Sequence, residues 1–252
     1  MAYMGKTLEL LQAPNNVNRR RLHGSVAHEI AVIIIGGSLP PGEVLPNEDT
    51  LSAALNVSRT AYREGIRTLV AKGLLSARPK VGTTVNPRAS WNILDGDVLS
   101  WYFEVAPDPA FITSLFELRS IVEPAAARFA CERHGPDEAT MMKAALEGMK
   151  QSHTAPHLIL EADLAFHRAI LVSSKNEAIL ALSSVIESTL RWSARLKVLT
   201  SPRIYESSLP QHESVLEAIL ARDSAGAAEQ LRVLVERALR QTLEALEQRP
   251  AD

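Results

Sequence analysis

Apolar residues recur at helical spacing near the start of the chain and predict three helices. The first begins at Leu22 and ends at Gly36-Gly37, where two glycines stop it. A second, short helix follows Pro46, and Ser58 can cap a third helix that runs to about Lys72. Two short strands around a basic turn come next. These elements predict a winged helix-turn-helix; we call its third helix the recognition helix and its hairpin the wing.

The chain from Pro109 to Gln248 follows helical spacing, and no alternation typical of strands interrupts it. Breaks in the pattern predict about five or six helices of roughly ten to twenty-five residues, packed as a bundle. They fall near Gly135-Pro136, Thr154-Ala155-Pro156, Lys175-Asn176, Ser201-Pro202 and Asp223. The predicted fold class is therefore mainly α, with an N-terminal winged helix-turn-helix and a C-terminal all-α bundle.

The length of 252 residues exceeds the roughly 100–150 residues of one compact domain and leaves room for two. We predict a flexible arm over residues 1–21, the winged helix-turn-helix over 22–86, a linker over 87–108 and the helical domain over 109–248. The linker prediction rests on Trp91, Trp101 and two prolines, which suit a segment that packs onto a neighbour.

Composition narrows the class of protein. Apolar residues make up 46% and charged residues 22% of the chain, as in ordinary globular proteins. The single cysteine, Cys131, excludes a cysteine-rich zinc site and fits a reducing cytosol. No stretch approaches the ~20 apolar residues of a membrane span. We therefore expect a cytoplasmic protein with no membrane partner.

Charge is distributed unequally between the two halves. Residues 1–90 carry 11 Lys and Arg against 6 Asp and Glu, a net charge of +5, whereas the remainder carries −7. Such asymmetry indicates that the first half faces an anion.

The start of the recognition helix carries the side chains that reading DNA requires. Arg59 and Arg63 lie one turn apart on one face, so both guanidinium groups can reach the same major groove. Ser58 and Thr60 suit phosphates, and Tyr62 could serve either role. Two arginines alone, however, more often lie on the solvent-exposed face of a helix without contacting DNA.

A wider pattern favours the DNA-binding interpretation. It consists of Leu45-Pro46-Asn47-Glu48, Leu51, Leu55-Asn56-Val57-Ser58-Arg59-Thr60, Arg63-Glu64, Leu69, Lys72-Gly73-Leu74 and Gly82-Thr83. This pattern resembles the winged helix of the GntR family of bacterial regulators over about residues 22–86. The resemblance implies DNA contacts by residues of the recognition helix and the wing, namely Ser58, Arg59, Thr60, Arg63, Arg78, Lys80, Gly82 and Thr83. Where the family commonly has Glu-Arg, this chain has Glu48-Asp49, and an aspartate cannot bind a phosphate.

A second set of polar residues lies on apolar stripes of the predicted bundle. Asp163 and His167 are one turn apart on a stripe that faces the core, and His212 lies on another. These residues could converge inside the bundle, either as hydrogen-bonded core groups or as ligands of a divalent cation. One carboxylate and two imidazoles suit zinc, nickel or manganese, with positions left open for water or a ligand carboxylate.

The helical region resembles the FCD ligand-binding domain of the FadR subfamily over roughly residues 109–245. The resemblance rests on Glu117-Leu118-Arg119, Glu123-Pro124, Ala127, Asp163-Leu164-Ala165-Phe166-His167, Asn176 and His212-Glu213. It implies a metal held by one Asp and three His, beside a carboxylate effector. The fourth ligand should fall in the last helix, where the chain offers Leu231, Leu234 and Val235 and has no histidine. Either three side chains hold the metal, or the effector binds these groups directly.

An anionic effector needs a cation in its pocket. Arg119 matches the effector-contacting position of the family, and Asn176, Arg191 and Arg195 are further candidates. The segment Trp91–Trp101, together with Val122-Glu123-Pro124-Ala125, resembles the regulators of sugar-acid catabolism that respond to galactonate. This resemblance implies an aldonate effector.

These features predict a repressor that binds operator DNA as a homodimer and is released by a sugar-acid effector. A rival hypothesis is a metal-dependent hydrolase built on Asp163, His167 and His212. The chain has no nucleophile elbow, phosphate loop or HExxH motif, which argues against an enzyme. A regulator of a different carboxylate pathway and a DNA-binding structural protein without a ligand are two further hypotheses.

Overall fold

The computed structural model describes residues 26–79, 82–105, 108–151, 156–200 and 208–248. The predicted arm, the start of the first helix at Leu22 and the wing residue Lys80 lie outside these ranges. The chain forms two compact units, divided between Pro107 and Asp108, and each is described by itself.

The N-terminal unit begins with three helices: α1 over Val26–Ile35, α2 over Glu48–Leu55 and α3 over Arg59–Ala71. The side chain of Asn47 caps α2 by accepting a hydrogen bond from the Thr50 backbone amide at 2.9 Å. Asn56 then ends α2 in a left-handed conformation. Ser58 caps α3, the predicted recognition helix, through a 3.1 Å bond from the Ala61 amide to its Oγ atom.

The wing consists of β1 over Leu75–Arg78 and β2 over Gly82–Val85. The strands are antiparallel, with Leu75 opposite Val85 and Arg78 opposite Gly82. Leu75 and Val85 are buried among apolar side chains from the three helices, so the wing is fixed to the helical core. Three helices and a hairpin confirm the predicted winged helix-turn-helix.

The segment predicted as a linker contains a helix. After a single 3-10 turn at Arg88–Ser90, α4 runs over Gly96–Glu104 and is capped by the side chain of Asp95. Val98 and Trp101 of α4 are buried in the N-terminal core. The linker prediction rests on tryptophans and prolines and overlooks the apolar face of this nine-residue helix.

An ionic clasp joins the end of α3 to the start of α4. The Lys72 ammonium lies 2.6 Å from Asp95 Oδ1 and 2.8 Å from Asp97 Oδ2. Its Nζ atom also sits 5.7 Å from the ring centre of Trp101. The Lys72 side chain is only 13% exposed and that of Asp95 25%, so this pair is partly shielded from water and fixes α4 against the recognition helix, whereas Asp97 is 67% exposed.

The C-terminal unit is entirely helical in the ranges described. Its helices are α5 over Pro109–Arg133, α6 over Pro136–Gln151, α7 over Pro156–Ser173, α8 over Glu177–Leu180, α9 over Ser183–Thr200, α10 over Leu209–Leu220 and α11 over Ser224–Glu247. Six of these have the predicted length, and the four-residue α8 is an addition. The bundle core contains Phe166, Ile170, Val215, Ile219 and Leu231, all at most 1% exposed. Among the described residues, no helix combines the length and apolar character needed to cross a membrane.

Candidate functional sites

The outer face of α3 presents the residues that the sequence singled out for DNA. Arg59, Thr60 and Arg63 are exposed, and Ser58 is exposed while it caps the helix. Tyr62 points the other way and is buried, because the inward face of α3 packs against the core. Burial, together with the nearby Glu48 carboxylate, raises the pKa of the Tyr62 hydroxyl. The suggestion that Tyr62 contacts DNA is therefore wrong for this fold.

Two carboxylates in the first turn of α2 pair with the arginines of α3. Asp49 Oδ1 lies 2.9 Å from Arg59 Nη2. Both oxygens of Glu48 accept from Arg63 Nε, at 3.0 and 3.1 Å. The pKa of Arg63 is raised, chiefly by this hydrogen bond. The sequence showed the departure at Asp49 but did not show that its carboxylate would meet Arg59.

The wing contributes a second part of this surface. Arg78 and Gly82 are exposed and pair across the hairpin, and Thr83 is partly exposed. Lys80 falls outside the described residues. Gly82 has a φ of +99°, which an L-amino acid with a side chain rarely adopts, so glycine suits this turn.

Inside the C-terminal unit, the predicted polar trio converges. Asp163 and His167 of α7 and His212 of α10 are all buried. Asp163 Oδ1 lies 3.0 Å from His212 Nε2 and 3.6 Å from His167 Nε2. One ligand atom from each residue lies within 4.8 Å of the other two, as a shared cation requires.

Both imidazole rings are oriented by acceptors on their other nitrogen. His212 Nδ1 meets the carbonyl of Ser208 at 2.8 Å, and His167 Nδ1 meets the Glu123 carboxylate. A carbonyl and a carboxylate only accept, so each Nδ1 donates and each Nε2 faces Asp163. Two Nε2 atoms turned toward one carboxylate need either a proton or a cation beside them. This donor set fits a divalent metal with three protein ligands and open positions.

A buried ion pair supports the trio from α5. Arg119 Nε donates to Glu123 Oε1 at 2.6 Å, and both side chains are at most 2% exposed. Burial alone would raise the pKa of Glu123, but the charges and hydrogen bonds of Arg119 and His167 lower it to about 2. Among the described residues, Arg119 Nη1 has no hydrogen-bond partner, although it is buried. The sequence included Glu123 in a motif but gave no sign that it orients His167.

The trio and Arg119 border one cavity. It is lined by Arg119, Asp163, His167, Leu190, Lys197, Ser208, His212, Leu234, Arg237, Ala238 and Gln241. Of the three residues considered for a fourth metal ligand, Leu234 lines this cavity. The sequence did not indicate Lys197, whose pKa falls to about 8 because burial and the Arg119 charge outweigh the Asp163 carboxylate. Burial would raise the pKa of Asp163, but the hydrogen bond from His212 and the charges of His167, His212 and Lys197 hold it far below its usual range.

Three other predicted effector residues do not line this cavity. Asn176 caps α8, where its Oδ1 accepts from two backbone amides. Arg191 forms an exposed ion pair with Glu161, and Arg195 is exposed. The two arginines share the outer face of α9, because Leu190 and Lys197 occupy the face toward the cavity.

Comparisons with known proteins agree with both halves of this description. Residues 22–85 match the family described as bacterial regulatory proteins, gntR family, and residues 114–237 match the FCD domain. A galactonate operon transcriptional repressor from Escherichia coli (strain K12) is 35% identical over 197 residues, which are 78% of this chain and 86% of that protein. The transcriptional repressor NanR from Enterobacter sp. (strain 638) is 28% identical over 210 residues, 81% of this chain and 79% of that protein.

A solved structure shares the fold. It belongs to Lar, described as controlling the expression of the Listeria monocytogenes agr system. The TM-score is 0.62 at 17% identity, over 88% of this chain and 98% of the other.

Proposed function

The chain belongs to the gntR family of bacterial regulatory proteins and carries an FCD domain, and we propose that it represses a sugar-acid catabolic operon until an effector binds. It is a DNA-binding transcription regulator and not an enzyme, and nothing in its relatives supports the hydrolase hypothesis. The observation that carries the sensing proposal is the buried Arg119 Nη1, which lacks a partner among the described residues and borders the Asp163–His167–His212 cavity.

On the DNA side, α3 would enter the major groove. Its residues Ser58, Arg59, Thr60 and Arg63 are the proposed contacts, with Arg78, Lys80, Gly82 and Thr83 of the wing beside them. Two copies of the chain would bind a near-palindromic operator, since two recognition helices spaced about one DNA turn match its symmetry. The homodimer is part of the proposal.

On the sensor side, we infer a small carboxylate effector, with an aldonate such as galactonate as the first candidate. A guanidinium is the natural clamp for a carboxylate, and Arg119 supplies one whose side chain is buried. Lys197 adds a second cation to the cavity lining. The name of the Escherichia coli relative, a galactonate operon repressor, favours the aldonate over other acids.

A divalent metal would be held by Asp163, His167 and His212. Such an ion, for example zinc, nickel or manganese, would supply positive charge and open coordination positions for the effector. Glu123 and Ser208 hold the two rings with their Nε2 atoms toward Asp163. Effector binding would then lower operator affinity through a coupling free energy of a few kcal/mol between the two units.

Thermal-shift screening against aldonates, with and without a chelator, tests this function. We expect galactonate or a related aldonate to raise the melting temperature of the wild type and to release it from operator DNA in a gel-shift assay. Arg119→Ala should lose the response, whereas Arg191→Ala, which removes a guanidinium outside the cavity, should keep it. If no aldonate stabilises the wild type, the sugar-acid assignment is wrong.

A further inference from the structure

The surface that would face DNA carries negative as well as positive charge. Arg59 and Arg63 point outward from α3, and each is paired with a carboxylate from the first turn of α2. The formal charges of Arg59, Arg63, Glu48 and Asp49 cancel. The positive charge of the N-terminal half therefore does not come from these four groups.

Asp49 is the more exposed of the two carboxylates. Its side chain is 71% exposed and that of Arg59 is 69% exposed, whereas the Glu48 side chain is 27% exposed. A helix N-terminus attracts anions, and Glu48 and Asp49 already supply them at the start of α2. A DNA phosphate that approached this end of α2 would be repelled by the Asp49 carboxylate. Asp49 therefore weakens the sequence-independent part of DNA binding.

The same carboxylate constrains Arg59. Asp49 Oδ1 contacts Nη2 of the guanidinium and uses one of its two N–H donors, so the other Nη2 donor is left to form a bidentate edge with either Nη1 or Nε. In water such an exposed pair is weak, but in a groove that excludes water the attraction is stronger. A guanidinium held on one side presents its remaining bidentate edge in a narrower range of directions, so it can pair with a guanine edge in that direction but not with phosphates that lie in others.

We propose that Asp49 is a specificity-determining residue, which orients Arg59 toward a base edge while it lowers affinity for the DNA backbone. The inference rests on the proposed function in one respect, that α3 enters the major groove. It adds a role for the position at which this chain departs from the family pattern. Asp49 acts through Arg59 and is a positioning residue rather than a base-reading one.

The test compares specific and non-specific binding across salt concentrations. The wild-type 252-residue chain first selects its preferred duplex from a random pool. Dissociation constants for that duplex and for a scrambled duplex are then measured from about 50 to 200 mM salt for the wild type, Asp49→Asn, Asp49→Glu and Asp49→Arg. Glu229→Gln is the matched control, because Glu229 is also an exposed partner of an arginine, Arg232, but lies in the C-terminal unit.

We expect Asp49→Asn to lower the ratio of specific to non-specific affinity by about tenfold, in line with the loss of one bidentate base contact. Asp49→Glu should restore part of the ratio, since it returns the carboxylate. Asp49→Arg should tighten scrambled-duplex binding and steepen the salt slope by roughly 0.9 for each added phosphate contact. In an Arg59→Ala background, Asp49→Asn should no longer change base preference, because the two residues act together.

Suppose that the wild type selects a sequence and that the ratio of specific to non-specific affinity of Asp49→Asn is within about twofold of the wild-type ratio. That result would overturn this inference alone. A wild type that selects no sequence would overturn the proposed function and the inference together. Circular dichroism of each variant shows whether the overall helical fold is retained. A folded variant with unchanged discrimination counts against the proposal.

Discussion

Replacing Glu123 with glutamine perturbs the support of the sensor cavity while nearly conserving volume. The wild-type carboxylate accepts from Arg119 Nε at 2.6 Å and also pairs with His167 Nδ1. Glutamine keeps one acceptor oxygen but turns an NH2 group toward the other donor and removes the counter-charge. Arg119 then remains buried as an unpaired cation.

The size of the loss in unfolding free energy follows from the burial of the Arg119–Glu123 pair. Both side chains of the pair are at most 2% exposed, so solvent does not screen the loss. Breaking a buried pair on one side costs about 3–5 kcal/mol of unfolding free energy. The exposed pair Arg191–Glu161 has the same chemistry, and breaking it with Glu161→Gln should cost at most about 1 kcal/mol.

Urea unfolding followed by far-ultraviolet circular dichroism measures the difference in the helical unit. With a slope near 2 kcal/mol per molar, Glu123→Gln should lower the urea midpoint by about 2 M relative to wild type. Adding Arg119→Met should recover part of the loss, because it removes the unpaired charge. If Glu123→Gln lowers the midpoint no more than Glu161→Gln does, the buried pair does not support the site as described.

Three further results are expected. Leu234→His should place a fourth metal ligand at the cavity and tighten zinc binding at least about tenfold, measured in competition with a chromophoric chelator. An unchanged zinc affinity would show that this side chain does not reach the site. Gly73→Ala should destabilise the protein by more than about 2 kcal/mol in thermal unfolding, because an added Cβ would lie 2.2 Å from a backbone oxygen. Gly37 has a similar φ but open space around it, so Gly37→Ala should cost only about 1 kcal/mol. Arg59→Ala or Arg63→Ala should each weaken binding of the selected operator about tenfold or more in a gel titration, and an unchanged dissociation constant would remove α3 from the DNA contact surface.

Local signals made the helices and their ends predictable. Ser58 and the Gly36-Gly37 pair are cap and stop signals read within a few residues, and they mark the same boundaries in the structure. The spacing of Asp163 and His167 likewise places them on a common helix face, whatever the packing of that helix. Features set by one helix could be read from one segment of sequence.

Features that depend on the packing of two or more helices could not be predicted from the sequence. Lys197 belongs to α9 and meets the cavity only because of how α9 packs in the bundle. Arg191 and Arg195 have the same periodicity and charge as cavity residues would, but they lie on the opposite face. Asp49 meets Arg59 across ten residues and a turn. Charge and periodicity identify candidates, and only the packing of neighbouring helices decides among them.

The clasp of Lys72 with Asp95 and Asp97 determines the shortest fragment of the chain that we expect to fold as an independent DNA-binding unit. A fragment that stopped at residue 86 would keep every residue of α3 and the wing, yet it would lose Val98 and Trp101 from its core and leave the Lys72 ammonium without its two carboxylates. A fragment extended through Glu104 retains the two core residues and the two carboxylates. We expect the longer fragment to unfold cooperatively and the shorter one to expose apolar surface and aggregate.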